Sequence, residues 1–276
     1  MNNSITCGRF QLSLDMPLIM GIVNLTDDSF SGDGLRGRVD SAIEQGLKMI
    51  EDGANLLDLG AESSRPGASP ITAAQEVDRL LPVIEGLRDA GVPLSVDTAK
   101  PEVMRTVIAA GADMINDIGA LQAPGALATV AESPVAVCLM HMRGEPKTMQ
   151  ENPAYLDVIS EVTEFLEERI FACISAGIAR KRIVIDPGFG FGKSLDHNLK
   201  LLGHLQSFAA LDAPILAGMS RKSMLGAVTG RPVQERLPAS IAAVICAVDR
   251  GAQLLRVHDV AATRDALAVW NAIRGA

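Results

Sequence analysis

The 276 residues carry 25 Lys and Arg against 33 Asp and Glu, a formal net charge of −8, which makes the chain a poor candidate for general nucleic-acid binding, since that needs a basic face. Hydrophobic residues make up 48% of the chain but aromatics only 3%, so the core must be aliphatic, as in helices packed on a parallel sheet. The four cysteines, Cys7, Cys138, Cys173 and Cys246, show no CxxC spacing, which argues against a disulfide framework or a zinc site and for free thiols in a reducing compartment. The start of the chain has no signal-peptide pattern, and no apolar run approaches the ~20 residues of a membrane helix. A cytoplasmic protein is expected.

In chain order, residues 4–15 (SITCGRFQLSLD) alternate enough for a small hairpin, placed to cap the bottom of the domain that follows. Aliphatic runs at 18–25, 54–61, 93–98, 112–119, 134–141, 182–188, 214–220 and 252–259 read as strands. Helices are predicted at roughly 39–52, 72–90, 101–110, 124–132, 154–176, 195–207, 238–250 and 261–274. Such alternation implies parallel strands joined by right-handed crossovers. Eight such units close into a (β/α)8 TIM barrel, and with no linker in view residues 1–276 read as one domain.

Helix boundaries agree. Gly53, Gly91, Gly111, Gly177 and Gly251 follow helical runs, where a C′ glycine takes positive φ. Thr72 and Gln75 fit a capping box, and Asn152–Pro153 fits an N-cap with Pro at the first helical position. The pattern Gly-Ala, strand, acid recurs at 53–60, 111–119 and 251–259, a packing repeat of the βα unit. The connections 26–38 and 62–71 are long, rich in Gly, Ser and Asp, and follow strands, so they are read as lids or binding loops on the C-terminal face.

An α/β barrel builds its active site at the carboxyl ends of the strands, and here those ends are polar. Asn24 ends the first strand, and Glu62, Ser64 and Arg65 follow the second. Asp97 ends the third, Asn116 and Asp117 lie on the fourth, and Asp186 ends the sixth. Ser220, Arg221 and Lys222 follow the seventh, and Arg256 and His258 share one face of the eighth. Buried strands seldom carry charge without a partner or ligand. Asp97 could instead cap the next helix. Asp117, of opposite parity to Asn116, is expected to face the helices, and Glu62 to brace loop backbone. Arg221 could hold a loop or touch substrate, His141 is read as a structural hydrogen-bonding residue, and His197 and His204 as helix surface residues. GFGFGKS (188–194) is not a Walker A loop, because Pro187 occupies the position of its first glycine. Its glycines are read as letting the backbone after Asp186 pass close to a flat ligand.

Taken together these residues resemble dihydropteroate synthases. The resemblance runs from MGIVNLTDDSFSGDG (20–34) through ESSRPGA (62–68), SVDTAKPEV (95–103), INDIGA (115–120), CLMHMRGEPKTMQ (138–150), DPGFGFGKSLDHN (186–198) and GMSRKSMLG (218–226) to RVHDV (256–260). It implies a transferase that joins a dihydropterin methyl diphosphate to 4-aminobenzoate and releases diphosphate. By the same resemblance Asn24 is the magnesium contact on the diphosphate, and Ser64, where the family usually has Thr, bonds the diphosphate. Asp97, Asn116 and Asp186 bind the pterin, with Lys222 lying against it. Arg256 and His258 hold the diphosphate, and Phe30, Arg65, Pro66 and Ser223 frame the aminobenzoate pocket. Asp97, Lys222, Arg256 and His258 carry the catalytic roles, Mg2+ is the expected cofactor, and a homodimer through the last helices is implied, to which the aliphatic run 240–248 lends itself. Two positions depart from the family: Asp27 stands where Pro is usual, and Ala61 where Gly is common. The departures leave open a non-catalytic pterin-binding paralogue. A methyltetrahydrofolate-corrinoid methyltransferase would share Asp97, Asn116 and Asp186 but would not need the SSRPG loop or the RVH segment.

Overall fold

The computed structural model describes residues 3–26, 35–63 and 70–275, without the side chains of 35–38. Strands β1 (Ser4–Cys7) and β2 (Phe10–Ser13) form an antiparallel hairpin. Eight parallel strands then close a barrel: β3 (Leu18–Asn24), β4 (Leu56–Gly60), β5 (Leu94–Asp97), β6 (Met114–Asp117), β7 (Ala136–Met140), β8 (Ile183–Asp186), β9 (Ile215–Ala217) and β10 (Ala252–Val257), with β10 pairing both β9 and β3. Around them lie α1 (Leu35–Glu51), α2 (Ala73–Leu87), α3 (Pro101–Ala110), α4 (Ala126–Ala131), α5 (Val158–Ser175), α6 (Leu195–Gly203), α7 (Ser223–Thr229), α8 (Leu237–Val248) and α9 (Val260–Arg274). The expected TIM barrel with an N-terminal hairpin is therefore the observed fold.

Strand parity divides the core in two. Residues such as Ile19, Leu57, Val96, Ile115, Val137, Ile185 and Leu255 face outward into one aliphatic core with the helices. Met20, Leu56, Met114, Ala136, Cys138, Val184, Leu216 and Leu254 face inward, and Ile5 and Cys7 of the hairpin pack beneath them. The barrel is thus filled and sealed at its lower end, as its layered side chains require. The hairpin is fastened by Asp113, which accepts from Arg9 N at 3.1 Å, Nε at 3.0 Å and Nη2 at 2.9 Å.

The capping box of α2 is present, with Thr72 accepting from Gln75 N. Gly53, Gly91, Gly111, Gly177 and Gly251 all have positive φ. Three helix expectations need correction. The helix expected from 154 starts at Val158, capped by Asp157 rather than Asn152. The stretch before it is turned by Glu161, which accepts from Leu156 N at 2.7 Å and Asp157 N at 3.1 Å. The helix expected over 195–207 ends at Gly203, and a 3-10 turn occupies Leu205–Leu211. The short helix α7 was not anticipated. His204 is exposed as expected, but His197 is half-buried and closes the α6 capping box, accepting from Ser194 N at 3.2 Å.

Candidate active site

Above the apolar floor, the next inward-facing positions are polar. Asp58 on β4, Ser95 and Asp97 on β5, Asn116 on β6, Asp186 on β8 and Arg256 on β10 share the parity of the inward floor residues, two positions further along each strand or at its tip. Two strand-end glycines leave room between them. A methyl group on Gly60 would lie 3.9 Å from Asp97 Oδ2 and 4.0 Å from Asn24 Oδ1, and one on Gly218 would lie 3.9 Å from Asp186 Oδ2 and 3.7 Å from Arg256 Cβ. The barrel mouth is therefore a space walled by two carboxylates, two carboxamides and a guanidinium.

The centre of this layer is Asp58, which the motifs did not single out. It is fully buried and accepts from Ser95 Oγ at 2.6 Å, Asn116 Nδ2 at 3.2 Å and Arg256 Nε at 2.6 Å. Arg256 turns its Nη2 to Asp97 at 3.0 Å. Burial alone would lower the guanidinium's proton affinity, but Asp58 and Asp97 outweigh it and hold Arg256 charged. Asp97 is pushed up to about 7 by burial, opposed by Arg256 and reinforced by Asp58, Asp117 and Glu76. A charged residue in the middle of the run LLDLG, with inward parity, was the available signal for Asp58.

The opposite wall is built from Asp186, Lys222 and the loop after β8. Asp186 accepts from Gly188 N at 2.7 Å. Burial raises its pKa, while Lys222, the Gly188 N–H, Lys193 and Arg256 pull it down. Lys222 lowers to about 8, chiefly through burial. Its ammonium donates to Phe189 O and lies 4.6 Å from the centre of the Phe191 ring. Two glycines of this loop are required by the protein's own packing. Gly188 has φ +72°, and a Cβ there would fall 1.9 Å from His141 O. Gly192, at φ +63°, is packed equally hard on Arg143 O, 2.2 Å from where its Cβ would be. At these two positions glycine lets two stretches of protein backbone touch.

His258 lies just beyond β10, its N–H donating to Ser220 Oγ at 3.2 Å and its Nδ1 3.0 Å from the same oxygen. Asn24 ends β3. Ser223 is exposed at the first position of α7. Ser64, Arg65, Pro66, Phe30 and Asp27 lie outside the described residues. The bracing residues behave as anticipated. Asp117 turns to the helix side and accepts from Gly119 N and Leu121 N, both at 2.7 Å. Glu62 accepts from Ile71 N at 3.1 Å and pairs with Lys100 at 2.6 Å, joining the two ends of the second long loop. Arg221 grips Asp259 at 3.0 Å and 2.5 Å, so of its two readings the loop-holding one is realised. His141 takes the hydrogen-bonding role, with Nδ1 2.9 Å from Lys193 Nζ.

A closed barrel whose mouth gathers carboxylates, carboxamides, a guanidinium and a half-buried lysine has the polar rim of an α/β-barrel enzyme, and the pterin binding enzyme family matches residues 20–258. The dihydropteroate synthase of Haemophilus influenzae is 48% identical over 266 residues, 96% of this chain and 97% of that protein. The structure of Xanthomonas albilineans dihydropteroate synthase with 4-aminobenzoic acid superimposes with a TM-score of 0.94 at 51% identity, covering 100% of both chains. A structure of the same enzyme in complex with 7,8-dihydropteroate gives a TM-score of 0.89 at 48% identity, again over 100% of both chains. The chain belongs to the dihydropteroate synthase family.

Proposed function

We infer that the protein condenses (7,8-dihydropterin-6-yl)methyl diphosphate with 4-aminobenzoate, forming 7,8-dihydropteroate and diphosphate in folate biosynthesis. The observation that carries this reading is the polar layer above the apolar floor, with Asp186 and Lys222 on one side and Asn116, Asp97 and Arg256 on the other. A pterin presents a ring N–H beside an amino group, and an ionised Asp186 accepts both in a paired geometry. Asn116 has one N–H spent on Asp58, which leaves its carbonyl and second N–H for neighbouring ring positions. Lys222 supplies a donor to ring acceptors.

When the carbon–oxygen bond to diphosphate breaks, negative charge collects on the leaving group and positive charge on the pterin methylene. Two of Arg256's N–H groups are committed to Asp58 and Asp97, while its Nη1 has no protein acceptor among the described residues and can meet the diphosphate. His258 stands next to it on the same strand face. Ser220 accepts the His258 backbone N–H, and its own hydroxyl proton suits Nδ1, which orients the ring. Ionised Asp97 would face the developing cation. The arylamine attacks as a neutral nucleophile through its lone pair, and the proton it sheds can pass to solvent or to Asp97. Arg65, Ser64, Phe30, Pro66 and Ser223 are proposed to complete the diphosphate and aminobenzoate contacts.

Magnesium fits the donor set. Among the described residues no cluster of three His, Cys, Asp or Glu side chains could hold a metal by itself. Asn24 Oδ1 at the rim is a hard oxygen donor beside Asp97, suited to an ion that takes most of its ligands from phosphate and water. Bound there, magnesium would neutralise diphosphate charge. We also propose a homodimer through α8 and α9, supported by the exposed Leu237, Val269 and Ile273, and a cytoplasmic location, supported by four free cysteines.

Ala61 gives no ground for an inactive paralogue: its methyl is fully buried in the outer core. The deciding experiment is diphosphate release on mixing both substrates with magnesium. Release that needs all three supports the reading; tight pterin binding without release would overturn it.

A further inference from the structure

The buried lysine of the GFGFGKS loop takes no part in the mechanism above. Lys193 is 3% exposed. Its ammonium lies 2.9 Å from His141 Nδ1 and donates to His141 O at 3.3 Å and to Phe191 O at 3.0 Å. It also lies 3.4 Å from the place a Gly188 Cβ would take, and Gly188 N is the donor that holds Asp186. The next residues along the same loop, Phe189 and Phe191, carry the carbonyl and the ring that locate Lys222.

A full ammonium inside a protein is costly unless a nearby charge or good acceptors compensate for lost water. Two carbonyls and a neutral imidazole supply acceptors. His141 is driven down to about 3 by burial, with Lys193 and Arg143 adding, so its Nδ1 is a lone pair and not a competing cation. The charge that compensates is Asp186: burial takes Lys193 down to about 7, Asp186 opposes this, and Lys222 and Arg143 add to it. The groups facing Lys193 are therefore His141 from β7, Arg143 from the loop after it, Asp186 from β8 and Lys222 before α7. Those facing Asp186 are Lys222, Lys193, Arg256 and the Cys138 thiol.

We propose that Lys193 is a positioning residue for the pterin site, pinning the 188–192 loop to the end of β7 and acting as a buried counter-charge that keeps Asp186 ionised for the ring's paired N–H donors. It acts through Asp186 and Lys222 and does not touch substrate. The inference rests on the assignment of Asp186 to the pterin.

The two roles separate by substitution. Lys193→Gln keeps a donor for the carbonyls but removes the charge, whereas Lys193→Met removes both. The measurement is the affinity for 6-hydroxymethylpterin by calorimetry between pH 5 and 9. In the unmodified protein affinity should fall on the acid side as Asp186 takes up a proton. In Lys193→Gln that acid limb should move up by about one pH unit, as expected for losing one nearby charge, and Lys193→Arg should restore it. A uniform loss of affinity with the limb unmoved would reduce Lys193 to a loop tether and overturn the counter-charge. No pterin binding by the unmodified protein would sink the assignment of Asp186 itself. Should the variants fail to fold, 15N NMR of the lysine ammonium groups in the unmodified protein with 6-hydroxymethylpterin bound decides. A charged Lys193 at pH 5.5 to 6, where the acid limb is measured, supports the proposal, and a neutral amine there overturns it.

Discussion

Asp58 on β4 accepts the Nε–H of Arg256 on β10 at 2.6 Å, two strands away across the barrel interior, although 198 residues separate them in sequence. Asp58 has no exposed surface. It fixes the Arg256 guanidinium and, through Asn116, one wall of the barrel mouth, so on the proposed function the pair would support both the leaving-group contact and the pterin contact.

Asp58→Asn should therefore weaken both properties. Removing one partner of a buried ion pair leaves the other uncompensated, at a cost of about 3 kcal/mol, and misplacing one charge-stabilising donor should lower turnover about 10²-fold. Urea unfolding and steady-state rates test this. A variant with wild-type turnover would remove Asp58 from the site's support. Arg256→Ala should lose turnover by a similar factor, and the double variant should lose little more than either, since both changes break the same pair.

Asp186→Asn should mainly weaken pterin binding, because a neutral amide cannot accept two adjacent N–H donors. Charge-assisted hydrogen bonds of this kind contribute enough for about a 10- to 100-fold rise in Kd. Equal pterin affinity in calorimetry would place the ring elsewhere.

Asp97 makes stability depend on pH in a defined direction. Its pKa is raised from 3.8 to about 7 in the folded protein, chiefly by burial. The contribution of its neutral form is fully present below the ordinary value and is lost as the pH rises through the folded one. Between pH 4 and 7, Asp97→Asn should flatten the melting-temperature curve relative to the unmodified protein. Parallel curves would show that Asp97 is ionised throughout.

Gly188→Ala should be among the most damaging single changes outside the barrel interior. The new methyl would meet His141 O at 1.9 Å with the backbone at φ +72°. Strain and overlap together should cost at least about 2 kcal/mol, seen as a lowered melting temperature, and should loosen pterin binding by shifting the Gly188 N–H off Asp186. An unchanged melting temperature would count against this reading of the loop.

The barrel was legible because its signals are local and repeated: an aliphatic run and a helix period recur in each unit, and a positive-φ glycine follows five of the predicted helices. Asp97, Asn116 and Asp186 were legible because a polar residue at a strand tip stands out from the aliphatic run behind it. Asp58 did not stand out, because it lies mid-strand in LLDLG and its partner, Arg256, is distant in sequence. Lys193 was hidden differently. Its segment resembles a phosphate loop that lacks the first glycine, and the residue that explains it, His141, lies 52 positions earlier. Helix α7 was missed because seven residues that include Gly226 carry too little periodicity to register. The start of α5 was misplaced because Asn152–Pro153 mimics a cap, while the side chain that turns the chain, Glu161, lies inside the helix. For Asp58 and Lys193 what escaped was a contact between distant segments, which residue order alone does not encode.

The hairpin that closes the base of the barrel has a kinetic consequence. With Ile5 and Cys7 stoppering the lower end, molecules seated against Asp186 and Asn116 exchange with solvent only through the upper rim. With the pterin site as proposed, a heterocycle held there would have to enter before an arylamine that approaches from the same rim, and the arylamine would then block its retreat. Traffic would become sequential by geometry, with the second substrate as the cork until the bond that joins the two is made.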